Sequence, residues 1–472
     1  MWYKPVPLSL NRRIAARIKG ASIVVLALGW ATAALSAQDV NTPSIGAPSS
    51  LPKSGLQITS VSAYTAYYSS GLPGQFGLQV GAPNLPYDVS AGGSIQFDWT
   101  KFTERSTFSL SYTPSYTNDM RYSSLSAFNH QVSLNVRRKL APRWTFGFSA
   151  GAHLSTYAET LFSPTTLSNV AAVQANFNDL AAGLLASKFT NNPQLGVILT
   201  NSPLIESPVS KLLYGERMLT ASATTSLSYS FSPRLSLSFS GGGGRTQSIS
   251  PNQAPNTPNS YAIPDTTNAN GSVALSYSLS PFTQVGGSVN TSRVSSSLLN
   301  SYTTTSTLTL GRTLHQRWLI QLHGGVGTTS ILHSSLLAFP TGPSSVFGGS
   351  LGYKTLSHTF LGSYDRTTSD TYGLGASTSS SANAAWRWRL PGNSWWLETG
   401  FGWQQLAGNG VANTSGYRMT AGLNRALGTH AVLLTQYVYI NYSGGLRAAP
   451  YYFSQNAMRI TLTWTHQPAA LR

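Results

Sequence analysis

Residues 231–240 read Phe231-Ser232-Pro233-Arg234-Leu235-Ser236-Leu237-Ser238-Phe239-Ser240. A proline-containing tetrad opens the stretch, and strict alternation of large apolar with small polar residues follows it. Successive side chains of a β-strand point to opposite faces, so a period of two builds one apolar and one polar face. The tetrad supplies the turn, because proline presets φ and offers no backbone N–H to a ladder. The segment therefore reads as a tight turn feeding a two-faced strand whose polar side is serine alone.

The same alternation recurs along the chain, as Phe108/Leu110/Tyr112, Val132/Leu134/Val136, Trp144/Phe146/Phe148, Val273/Leu275/Tyr277/Leu279, Leu397/Phe401/Trp403 and Met458/Ile460/Leu462/Trp464. Any half-buried antiparallel sheet shows this pattern, so the connections have to discriminate. Short turns fall at Lys101 to Glu104, Leu140 to Arg143, Ser232 to Arg234, Ser280-Pro281, Leu314 to Arg317, Ser357-His358, Pro391 to Asn393 and Gly428-Thr429. Between them lie longer segments rich in Gly, Ser, Asn, Thr or Pro, such as Pro251 to Asn270, Ile331 to Ser344 and Thr367 to Gly375. Alternation of short and long connections belongs to an up-and-down transmembrane barrel, whereas a Greek-key sandwich has no reason to show it. The turns join sixteen strands between Ser94 and Tyr442; Leu56 to Tyr68 and Phe453 to Thr465 add one at each end. The expectation is an all-β antiparallel barrel of about 18 strands with both termini on the short-turn side. Sixteen is the alternative if the pair containing Gly286 and Gly287 is not a strand pair.

Composition agrees with such a barrel. Only 9% of the 472 residues are charged, against roughly 25% in a soluble domain. The 41% hydrophobic and 11% aromatic content excludes a disordered chain. With no cysteine, a disulfide scaffold and thiolate metal sites are excluded. Met1 to Lys19 carries five basic residues (Lys4, Arg12, Arg13, Arg17, Lys19), the mainly apolar run Ala21 to Ala34 follows, and Leu35-Ser36-Ala37 suits cleavage. Residues 1–37 thus read as a secretory signal peptide. Its loss leaves 25 basic against 13 acidic residues, a formal charge of +12 where the whole chain has +17. Residues 38–55 read as a flexible periplasmic lead-in, 56–466 as the barrel with a long loop at 155–218, and 467–472 as a tail. Beyond Ala37 no apolar run is long enough for a membrane helix, so any crossing is made by strands.

From Leu56 to Thr465 the chain resembles Gram-negative outer-membrane β-barrels of the porin type. The turns Ala141-Pro142-Arg143, Ser232-Pro233-Arg234 and Ser280-Pro281-Phe282 are also similar to those of barrels associated with exopolysaccharide loci. The resemblance implies an outer-membrane location, periplasmic termini, and outer-membrane lipid, lipopolysaccharide and the barrel insertion machinery as partners. Ile460, Leu462 and Trp464 fit the alternating part of the family's terminal assembly signal, but eight residues follow Trp464.

Two sets of residues are candidates for function. Trp99, Trp144, Phe282, Trp318, Trp386, Trp388, Trp395 and Trp464 lie near the short turns, as an aromatic girdle at a membrane interface would. Placing the large apolar side chains toward lipid turns Arg137, Arg387, Arg389, Arg418 and Arg459 inward, with Asp98 and Glu398 among the acids. A basic excess in a water-filled channel concentrates anions. The expected function is a porin-like, anion-preferring channel for small solutes or an acidic polysaccharide; the alternative is a structural or adhesive barrel with a closed lumen. Within the long loop, Val170, Val173, Phe177, Leu180 and Leu184 recur at helical spacing, which predicts a short amphipathic helix narrowing the channel.

Other chemistry finds little support. None of the eight histidines forms a close metal-type pair with another histidine or an acid, so no metal or cofactor is expected. Gly241 to Gly244 precedes Arg245 without a Lys-Ser/Thr phosphate motif. No nucleophile motif stands out, which argues against an enzyme. The basic residues are spread over strands and signal peptide, so nucleic acid is not an expected partner.

Overall fold

In the computed structural model the described residues lie between Gly55 and Thr465. Residues 1–54, 70–86, 122–125, 156–217, 250–264, 335–341, 371–375 and 466–472 fall outside the description, as do short pieces of the remaining connections. The described chain forms β1 Gly55–Tyr68, β2 Asp88–Phe102, β3 Ser106–Asp119, β4 Ala127–Ala141, β5 Trp144–Ser155, β6 Met218–Ser230, β7 Leu235–Ser248, β8 Thr266–Ser280 and β9 Thr283–Ser296. It continues with β10 Leu299–Leu314, β11 Trp318–Ser334, β12 Gly342–Lys354, β13 His358–Asp370, β14 Ala376–Arg389, β15 Trp395–Gly408, β16 Ala412–Ala426, β17 Ala431–Leu446 and β18 Ala449–Thr465. Each strand pairs antiparallel with its sequence neighbours, and β1 pairs with both β2 and β18, which closes the sheet into an 18-stranded barrel. Closure matters energetically, since it leaves no edge of unpaired N–H and C=O groups.

Sixteen strands are excluded. β9, which contains Gly286 and Gly287, pairs over most of its length with β8 and β10. Several segments read as loops are strand instead: β8 begins at Thr266, β11 runs to Ser334 and β13 to Asp370. Their Ser, Asn and Asp residues have little strand propensity of their own, but a neighbour on each side satisfies the backbone and tertiary pairing overrides propensity. Gly55, Ser155 and Met218 likewise belong to strands, and the last strand ends at Thr465 as read but starts earlier, at Ala449. The tight turns gather at one end. At the other end connections vary widely, from 62 residues at 156–217 to two at 297–298 and 447–448, so the expected contrast between ends is incomplete.

The two faces differ as the alternation requires. Exposed large apolar residues, among them Leu308 at 74%, Val326 at 57% and Leu322 at 52%, occupy the outward parity. The opposite parity holds Ser236, Ser238 and Ser240 of β7 against Ser276, Ala274 and Ser272 of β8. One bulge keeps this sorting intact. In β1, Ile58 pairs with Phe97 and Ser60 with Gln96, so Thr59 is the extra residue. Upstream the outward residues are Leu56 and Ile58; downstream they are Val61 and Tyr67, all exposed. Were Thr59 held in a regular strand instead of a bulge, every side chain beyond it would change faces.

The lumen face as the candidate functional site

The inner wall contains two unlike sectors. From β5 to β10 it is a surface of hydroxyls and glycines, with Ser149 bonded to Thr224 at 2.6 Å, Ser240 to Ser272 at 2.6 Å and Ser288 to Thr307 at 2.8 Å. From β11 to β18 the same parity carries Leu319, Val346, Leu361, Trp396, Val432, Val438 and Ile440, all buried. Trp396 packs with Ala426 and Val432. The rule that large apolar residues face outward misses this second sector. Trp396 stands beside Trp395, and adjacent strand residues must face opposite ways.

The predicted inward charges take the inward parity. Arg387 pairs in register with Glu398, with Nη2 to Oε1 at 3.8 Å. Arg389 is opposite Trp396. Arg418, only 3% exposed, lies between Gly402 and Ile440 near the middle of β16. Arg459 stands between Ala66 and Gln436 on β18, its guanidinium 3.8 Å from the Tyr64 ring centroid and its Nε donating to Thr461 Oγ1 at 3.1 Å. Arg137 is exposed near the end of β4. Asp98 accepts from the bulged Thr59 hydroxyl at 2.6 Å and from Gln96 Nε2 at 3.0 Å.

Sequence reasoning missed further inward acids. Asp365 on β13 lies 3.2 Å from His323 Nε2 on β11, and Asp88 and Asp119 are buried on β2 and β3. Asp88 begins β2, ahead of Ser94 where the first of the turn-joined strands was read, Asp119 ends β3 between Asn118 and Met120, and Asp365 is followed by Arg366 rather than by a second large apolar residue. These acids reduce the basic excess of the described lumen face. At mid-strand the bases are Arg418 and Arg459, and the acid is Asp365 held by His323. No group of three or more metal-ligating side chains gathers among the described residues.

The aromatic candidates lie at the tight-turn end. Trp99 contacts Phe108 at 4.9 Å between centroids, Trp144 contacts Tyr229 at 4.6 Å and Trp318 contacts Tyr353 at 4.4 Å. Trp386 and Trp388 lie parallel to His358 at 6.0 and 5.8 Å. Arg425 covers Trp395 at 4.8 Å, Trp464 stacks on His430 at 6.4 Å, and Phe282 is exposed in its turn. Val170, Val173, Phe177, Leu180 and Leu184, with the predicted helix, lie outside the described residues, as do the signal peptide, the lead-in and the tail.

No protein-family model matches the chain, and no curated protein sequence matches it. Solved structures do share its outline. OccK2 (OpdF) of Pseudomonas aeruginosa, solved in complex with glucuronate, is 8% identical over 87% of this chain and 98% of its own, with a TM-score of 0.44. A BenF-like porin from Pseudomonas fluorescens is 9% identical over 87% of this chain and 98% of its own, at 0.43. The siderophore receptor PirA of Pseudomonas aeruginosa is 10% identical over 88% of this chain and 81% of its own, at 0.38.

Proposed function

We propose that the protein is an outer-membrane channel that prefers anions and passes small anionic solutes or an acidic polysaccharide. The observation that carries this reading is the position of Arg418 and Arg459, lumen-facing at mid-strand in a closed barrel with an apolar exterior. A positive lining inside low-dielectric walls concentrates anions and repels cations. The hydroxyl surface of β5 to β10 offers donors and acceptors to a sugar chain moving past it. Outside, the apolar parity suits lipid, and the tryptophans at the tight-turn end suit a headgroup interface. By the same reading the tight turns and both termini are periplasmic, lipopolysaccharide meets the opposite rim, and the insertion machinery handles β18.

Planar-bilayer recordings under a salt gradient test it. A reversal potential on the anion side is the expected result; cation selectivity overturns the preference, and absence of conductance overturns the channel. A second reading, a structural or adhesive barrel with a closed lumen, is favoured by the buried inward residues Leu319, Leu361, Val438 and Ile440. Heat-modifiable gel mobility without conductance would select it.

A further inference from the structure

At the end of the barrel away from the tight turns, β2 and β3 bury two carboxylates side by side. Asp88 and Asp119 are each 1% exposed. Ser90 pairs in register with Asp119, and Asp88 precedes Ser90 by two, so both acids share the lumen face as diagonal neighbours. The chain after Asp119 closes on Asp88: Met120 N–H donates to the Val89 carbonyl at 2.9 Å, and Arg121 N–H to Asp88 Oδ1 at 3.0 Å. Val89 N–H donates to that same oxygen at 2.7 Å. Asp88 Oδ2 and both carboxylate oxygens of Asp119 are buried and accept no hydrogen bond. Neither acid forms an ion pair among the described residues.

Buried carboxylates are normally hydrogen-bonded, paired with a cation or bound to a metal, because water is no longer there to solvate them. Two together add mutual repulsion. Neutral oxygens surround this pair: Ser90 Oγ with the buried Tyr68 hydroxyl at 3.2 Å, and Thr117 with the Tyr64 hydroxyl, which crosses β2 above Gly92. Two carboxylates flanked by hydroxyl oxygens form a hard-oxygen set of the kind Ca2+ takes in irregular geometry, whereas Mg2+ keeps its waters and demands an octahedron.

We propose that Asp88 and Asp119 bind a divalent cation, Ca2+ in preference to Mg2+, that ties β2 to β3 at this rim. The site stands whether or not the lumen conducts or selects. The full chain, folded in detergent micelles and stripped with EDTA, is titrated with Tb3+ and excited through its tyrosines. The expected result is saturable emission displaced by Ca2+ at about 0.1–1 mM, the range of extracellular sites, and at least tenfold higher Mg2+. Emission disappears in Asp88→Asn and in Asp119→Asn. The heat-induced mobility transition of the wild type rises with Ca2+ and falls back with EDTA, a readout that needs no variant. No Ca2+-displaceable emission, or equal emission in both variants, overturns the proposal. A transition blind to Ca2+ that rises as pH falls overturns it in favour of a proton shared by the two acids.

Discussion

His323 Nε2 lies 3.2 Å from Asp365 Oδ1 although the two residues stand on β11 and β13 with β12 between them. The register explains the reach: His323 pairs with Gly348 and Gly348 with Asp365, so the imidazole crosses a row that has no side chain. A Cβ on Gly348 would stand 2.7 Å from His323 Cε1 and 2.4 Å from the Tyr364 carbonyl oxygen. Backbone on one side and the hydrogen-bonded His323–Asp365 contact on the other leave little room to adjust.

Gly348→Ala should therefore destabilise the barrel by about 1–3 kcal/mol, the usual cost of overpacking. The check is the midpoint of the heat-induced gel-mobility transition. A midpoint equal to wild type would mean that His323 does not occupy the space above Gly348.

Arg418 and Arg459 should set the selectivity. Replacing both with methionine should lower the anion-to-cation permeability ratio by roughly a factor of ten, the lower end of the enrichment a one-signed lining gives. Glu398→Gln should move the reversal potential the other way. Parallel movement of all variants would disconnect these residues from permeation.

The facing of β10 can be tested by charge. Leu308→Lys places a cation on the exposed outer face and should cost about 2–4 kcal/mol near mid-bilayer. Thr305→Lys, three residues away on the opposite parity, should leave stability nearly unchanged and alter conductance instead. Equal losses in urea-unfolding midpoints would contradict the assignment of faces.

Thr59 should matter beyond its size. Thr59→Val removes the 2.6 Å hydrogen bond to Asp98 and should cost roughly 1–3 kcal/mol, since the carboxylate is left a donor short. Deleting Thr59 removes the bulge but leaves outward Ile58 followed by inward Ser60 against the consecutive partners Phe97 and Gln96, so the heat-modifiable folded band should persist on refolding; its loss would mean that the bulge itself is needed for closure.

Legibility in sequence followed the size of the outward side chains. Where Leu, Phe, Tyr or Trp alternates with Ser, as in Leu235 to Ser240, strand, turn and facing were all readable. Around Gly286 and Gly287 the outward row of Val285 and Val289 is broken by glycine, and the strand became certain only through its pairing with β8 and β10. Arg387, Arg389, Arg418 and Arg459 were placed inward because each lies between two large apolar neighbours, and Arg137 because it follows Val136. Asp88, although between Tyr87 and Val89, stands ahead of Ser94 where the first of the turn-joined strands was read, and Asp119 stands between Asn118 and Met120 at the far end of β3, so neither was placed in a strand with a readable facing.

By itself, then, the sequence determined the class of fold: strands of period two, tight turns at alternate connections, and too little charge for a water-facing exterior. Those are local properties, written in adjacent residues. The tertiary structure alone decided which residues meet. Closure of β1 on β18 brings Arg459 over Tyr64, a glycine row lets His323 reach Asp365, and the Met120 to Val89 bond draws Asp119 toward Asp88. Such pairings depend on register across neighbouring strands, and register is fixed by the closed hydrogen-bond ladder and its bulges rather than by any one segment.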